Sequence, residues 1–155
     1  MIAFDSDVLI YAANVGHPLG SRVAGLFSPA PRADGEPPVG IGSVLLLPEV
    51  LSKAIRDGAE EELVALTEFL ARVDLLPLDR ETAELAVSLA AAYRLRAADA
   101  THLATAVNAG ADRFLTNNQR DFPQTIAEIE VVYPQDLPDV TTAPMWGRCG
   151  QRLDG

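Results

Sequence analysis

The sequence is short of cysteine, histidine and lysine. Its one cysteine, Cys149, excludes an internal disulfide framework and a cysteine-rich zinc site. Two histidines, His17 and His102, argue against a histidine-based metal cluster. Lys53 is the sole lysine, and every other basic residue is an arginine. No long hydrophobic run is present. The apolar stretch 39–51 is too short to cross a bilayer, and Pro48 and Glu49 interrupt it. The opening MIAFDSDVLIYAAN places two acids in the first apolar run with no basic segment before it, unlike a secretory signal. The expectation is a cytoplasmic protein without a membrane partner.

Positive charge is also scarce. The formal net charge is −10, which points away from broad nucleic-acid binding through Lys and Arg on phosphates. Specific chemistry on a phosphodiester stays open, because a carboxylate metal site adds negative charge by itself. Arginine suits bidentate phosphate contacts better than lysine, although a composition bias explains the ratio equally well. What is present reads as one globular domain: 155 residues, 48% hydrophobic and 22% charged.

Residues 2–11 read as a buried strand running into a turn or helix, and 19–27 as a short helix. Residues 28–40, rich in Pro and Gly, form a loop. Ser43 is placed to cap a helix over 44–56, with Pro48 moving its start nearer Leu46. Leu63, Leu66, Phe69 and Leu70 predict a second helix over 60–73. Residues 75–78 make a short strand or linker. Asp79 caps a helix over 80–95, and another spans 98–109 with Gly110 just past its end. Short strands follow at 113–116 and 130–133. Alternating strands and helices predict an α/β fold of three layers, α/β/α, around a mainly parallel sheet. The tail 141–155 has no clear period and reads as an appendage or disordered segment, leaving 1–140 as the domain.

Acids recur where that architecture places functional sites. Asp5, Ser6 and Asp7 follow the first apolar strand, and open parallel sheets build sites at the carboxyl ends of strands. Ser6 or Asp7 serves equally well as a helix cap. Glu49 stands among leucines, where an acid is costly to bury without a partner, yet an exposed helix position also explains it. Asp99 lies in the first turn of a small-residue helix, where dipole complementarity alone accounts for an acid. Thr116, Asn117 and Asn118 end another strand, with Asp121 beyond them. Together these groups are able to converge. Like charges about 4 Å apart repel by roughly 1–4 kcal/mol, so such a cluster calls for a cation or for shifted protonation. Hard oxygen donors select Mg²⁺ or Mn²⁺.

The stretches "FDSDVLIY", "GSVLLLPEVLSK", "LRAADATHLATAVNAGADRFLTNNQRDF" and "IEVVYPQDL" resemble, in order, the PIN-domain ribonucleases, specifically VapC-type toxins of toxin–antitoxin pairs. The third stretch is the most specific. The resemblance implies a metal-dependent endoribonuclease that hydrolyses RNA phosphodiester bonds. It matches Asp5, Glu49 and Asp99 to the three main acids holding Mg²⁺, with Mn²⁺ as a substitute. Ser6 and Thr116 match supporting positions. Many members carry an Asp where this chain has Asn118, so the fourth group is either Asn118 or Asp121. Arg94, Arg96, Arg113 and Arg120 lie near the motifs and are candidate phosphate contacts. The implied partners are RNA, a cognate antitoxin and a second copy of the chain in a homodimer. The loop 28–40 and the helix near 60–73 are candidate antitoxin surfaces. Two alternatives stand beside this reading. One is a PIN-like binding module without activity. The other is a haloacid-dehalogenase-type phosphatase with Asp5 as nucleophile and Asp7 as acid–base, although Lys53 falls in the wrong order for that fold.

Overall fold

The computed structural model describes residues 1–27, 30 and 32–139, so the tail 141–155 lies outside the described residues. Among the described residues, five parallel strands form one sheet in the order β3-β2-β1-β4-β5. They are β1 (Ile2–Phe4), β2 (Gly40–Ser43), β3 (Val73–Leu76), β4 (Arg113–Leu115) and β5 (Glu130–Val132). Six helices connect them: α1 (Ser6–Ala13), α2 (Gly20–Ala24), α3 (Leu46–Arg56), α4 (Glu60–Leu70), α5 (Arg80–Tyr93) and α6 (Ala97–Asn108). A 3-10 turn, Pro134–Asp136, follows β5.

Successive strand residues point to opposite faces, and the two cores follow that alternation. Ala3, Ile41, Phe114 and Val131 pack with Leu89 of α5 and Leu103 of α6. Phe4, Leu115 and Val132 pack with Val8 of α1, Val23 of α2, Leu46 of α3 and Leu66 of α4. Helices therefore cover both faces, which is the three-layer α/β/α arrangement the element pattern predicts.

Several boundaries differ from the sequence reading, each for a local reason. The first strand stops at Phe4 and α1 begins at Ser6, because Asp5 itself accepts the Ser6 N–H and acts as the cap. β2 falls partly inside what reads as loop 28–40. Its residues are Gly-Ile-Gly-Ser, and a Cβ on Gly40 would lie 2.4 Å from the Ile2 carbonyl oxygen. Glycine here allows close backbone approach, and a strand with so few side chains shows no alternation. α3 starts at Leu46, which leaves Pro48 in the first turn. Ser43 is not its cap: Leu45 occupies that position, and Ser43 Oγ accepts the Leu45 N–H at 3.2 Å. α4 ends at Leu70, and Val73 opens β3. Asp79 does cap α5, accepting the Thr82 N–H at 2.8 Å, and Gly110 sits just past α6 with φ +70°.

Candidate active site

The carboxyl edge of the sheet is built from the two central strands. The Asp5 N–H bonds to the Leu115 carbonyl at 2.9 Å and the Thr116 N–H to the Val132 carbonyl at 3.1 Å, so both residues leave the sheet side by side. Asp5 is buried. One carboxylate oxygen accepts the Ser6 N–H at 2.8 Å and the other accepts the Thr116 hydroxyl at 2.7 Å. Burial pushes the Asp5 carboxyl above its ordinary value, and the charge of Glu49 adds to the rise, while His102 and the two hydrogen bonds oppose it.

Asp7, two residues on in the first turn of α1, accepts the Asn117 N–H at 3.1 Å. Its carboxyl is pushed up to about 7, first by burial and then by the charge of Asp5. Asp99, in the first turn of α6, is also raised by burial and by the charges of Asp5, Asp121 and Glu49. Thus five acids from four segments converge here: Asp5 and Asp7, Glu49, Asp99 and Asp121.

Asn118 and Asp121 work as a unit. The Asn118 side-chain amide donates to Asp121 at 2.9 Å, and the Asp121 N–H donates back to the Asn118 amide oxygen at 3.3 Å. The Asn118 N–H also donates to Thr116 Oγ1 at 3.1 Å. The amide holds the acid, and the acid contributes the charge felt at Asp99.

Glu49 reaches this edge from α3 with its side chain 31% exposed. His102 on α6 meets it: Nε2 stands 2.9 Å from Glu49 Oε2 and donates to it. That hydrogen bond holds the Glu49 carboxyl below its ordinary range, against the effect of burial. Burial acts to lower the His102 pKa, but the bond to Glu49 and the charges of Asp5, Glu49 and Asp99 raise it overall. In the sequence His102 counts only against a histidine cluster, while Asp7 stands beside Asp5 equally as a site acid or a helix cap. Their partners have no local signal, since they lie 53 and 110 residues away.

Among the candidate phosphate contacts, Arg94, Arg96 and Arg120 are exposed. Arg113 is instead held in an ion pair with Glu130 at 3.3 Å.

The PIN domain family model matches residues 2–127. The chain belongs to the PIN domain family. That membership displaces the phosphatase alternative. Curated proteins yield no match. Three solved structures share the PIN fold seen here. A chain in a toxin–antitoxin complex from Klebsiella pneumoniae is 24% identical with a TM-score of 0.67, over 86% of this chain and 98% of that one. A chain in VapBC2 from Rickettsia felis, bound to a DNA fragment from their promoter, is 17% identical with a TM-score of 0.63, over 86% and 98%. A chain in FitAB bound to an IR36 DNA fragment is 18% identical with a TM-score of 0.61, over 89% and 98%.

PIN nucleases generally use divalent metal ions. Among the described residues, no three His, Cys, Asp or Glu side chains are posed to hold an ion. What converges is charge and donor type. Asp5, Glu49, Asp99 and Asp121 are all carboxylates, coupled closely enough to raise the Asp99 pKa. A hard dication suits oxygen donors and relieves that repulsion. The donor chemistry therefore fits Mg²⁺ or Mn²⁺.

Proposed function

We propose that this PIN domain is a Mg²⁺-dependent endoribonuclease and the toxin of a type II toxin–antitoxin pair. The observation that carries the reading is the convergence of Asp5, Glu49 and Asp121 on Asp99 at the carboxyl edge of the sheet, beside the Asp5 carboxylate clamped by Thr116 and Ser6. Asp5, Asp99 and Glu49 would hold the ion, with Mn²⁺ able to replace Mg²⁺. When bound, the ion supplies an activated water and stabilises charge on the phosphodiester. Thr116 and the Ser6 N–H fix both oxygens of Asp5. Asn118 fixes Asp121, which supplies the acid that Asn118 itself lacks. The exposed Arg94, Arg96 and Arg120 would take RNA phosphates.

Support for the toxin role comes from the fold shared with chains in toxin–antitoxin complexes. The partners in this reading are RNA, a cognate antitoxin and a second copy of the chain, and the setting is the cytoplasm. Among the described residues, no helix is long and apolar enough to cross a membrane.

The test is RNA cleavage with Mg²⁺ or Mn²⁺ by the native chain, Asp5→Asn and Asp99→Asn. The native chain should cut RNA only with metal, and both variants should fall to background. A native chain that binds metal but cuts no RNA, indistinguishably from the variants, would identify an inactive binding module instead.

A further inference from the structure

His102 has no place in the machinery described so far, yet its setting is unusual for a core residue. Its side chain is 1% exposed, although leucine would fill such a position without introducing a polar atom. It stands one turn beyond Asp99 on α6, whose core is shared with α5. Its partner Glu49 stands on α3, whose core lies on the other face of the sheet. The Nε2–Oε2 bond of 2.9 Å thus joins the two helical layers across the carboxyl edge.

The chemistry of the pair sets the direction of the bond. An ionised carboxylate only accepts, so Nε2 must carry the proton. The other ring nitrogen, Nδ1, is buried with no hydrogen-bond partner. A neutral ring carries its hydrogen on Nε2 and leaves Nδ1 bare; a charged ring keeps the Nε2 hydrogen. Nε2 therefore donates in either state, and the bond does not depend on titration of the ring. Glu49 also receives a bond from the Ser6 side chain, but the bond from His102 has the larger effect on its carboxyl. Asp5 is clamped at both oxygens and Asp121 is held by Asn118. Glu49 has the longer side chain and is part-exposed.

The geometry points to His102 as a positioning residue that fixes the Glu49 carboxylate toward the ion. This rests on the metal-site reading above. The role is structural in means and functional in consequence: hydrogen-bonding partners of ligating groups are worth roughly 10–100-fold in metal affinity or activity.

Three variants test it. In His102→Gln the amide nitrogen reaches about where Nε2 stands and keeps a donor for Glu49. In His102→Asn the shorter side chain does not reach. In His102→Leu the volume is kept and the donor is lost. Mn²⁺ binding to each metal-free protein is measured by calorimetry, with thermal unfolding measured alongside. His102→Leu and His102→Asn should bind Mn²⁺ roughly 10–100-fold more weakly than the native chain, and His102→Gln within a few-fold of it. RNA cleavage by the weakened variants should return toward native rates at high Mg²⁺. If His102→Leu does not fold, the Gln–Asn comparison carries the test. Equal Mn²⁺ affinity in the Gln and Asn variants, or in Leu and native, overturns the inference and leaves the metal-site reading standing. A native chain that binds no Mn²⁺ overturns both.

Discussion

Asp7 shows how one residue in this cluster shapes stability. Folding raises its carboxyl from an ordinary 3.8 to about 7, chiefly by burial. Between those values the folded chain binds a proton that the unfolded chain has lost, so stability falls as pH rises through that window. Metal-free protein should melt at a lower temperature near pH 8 than near pH 5. Asp7→Asn should flatten that slope and raise the melting temperature at the higher pH, read by differential scanning calorimetry. An unchanged slope would locate the proton elsewhere. The residues that local pattern exposes are those with local causes. Asp79 precedes an amphipathic run and caps it. Asp5 follows a strand and Asp99 opens a helix, so each was visible as a candidate. The His102–Glu49 bond was not, because the partners belong to different helices and only the folded sheet brings those together.

Strand β2 shows the same limit for an element. Helices here carry a 3.6-residue signature, and most were legible to within a few residues. β2 carries almost none, since two of its four residues are glycine. Its place is set by neighbours: a Cβ on Gly40 would meet the Ile2 backbone at 2.4 Å and the Phe4 ring at 2.7 Å. Gly40→Ala should therefore destabilise the domain by about 1–3 kcal/mol, since the nearest obstacle is a backbone oxygen that no side-chain rotation relieves. Chemical denaturation measures it, and a neutral effect would show that β1 and β2 tolerate separation. The consequence reaches function, because β2 leads into α3 and so sets the position of Glu49. The layers and the parallel sheet were legible from the alternation of elements. The strand order was not, since no local pattern states which strands are neighbours.

The whole molecule opposes its proposed substrate in charge. Its net charge of −10 opposes long-range attraction of RNA. If only Arg94, Arg96 and Arg120 meet phosphates, log affinity for single-stranded RNA should fall against log salt with a slope of about −2. Fluorescence anisotropy at several salt concentrations, using Asp5→Asn to prevent cutting, provides the measurement. A much steeper slope would mean that further cations take part. The central pairing of β1 with β4 has a different consequence. Asp5 and Thr116 touch across 111 residues of chain. During synthesis, Asp5 emerges early and waits until β4 has been made before its clamp can close. Closing so long a loop is slow compared with forming local helices. The acids therefore exist on the ribosome well before the edge that organises them. The edge assembles only after translation of the domain is nearly complete, and that delay is written into the strand order.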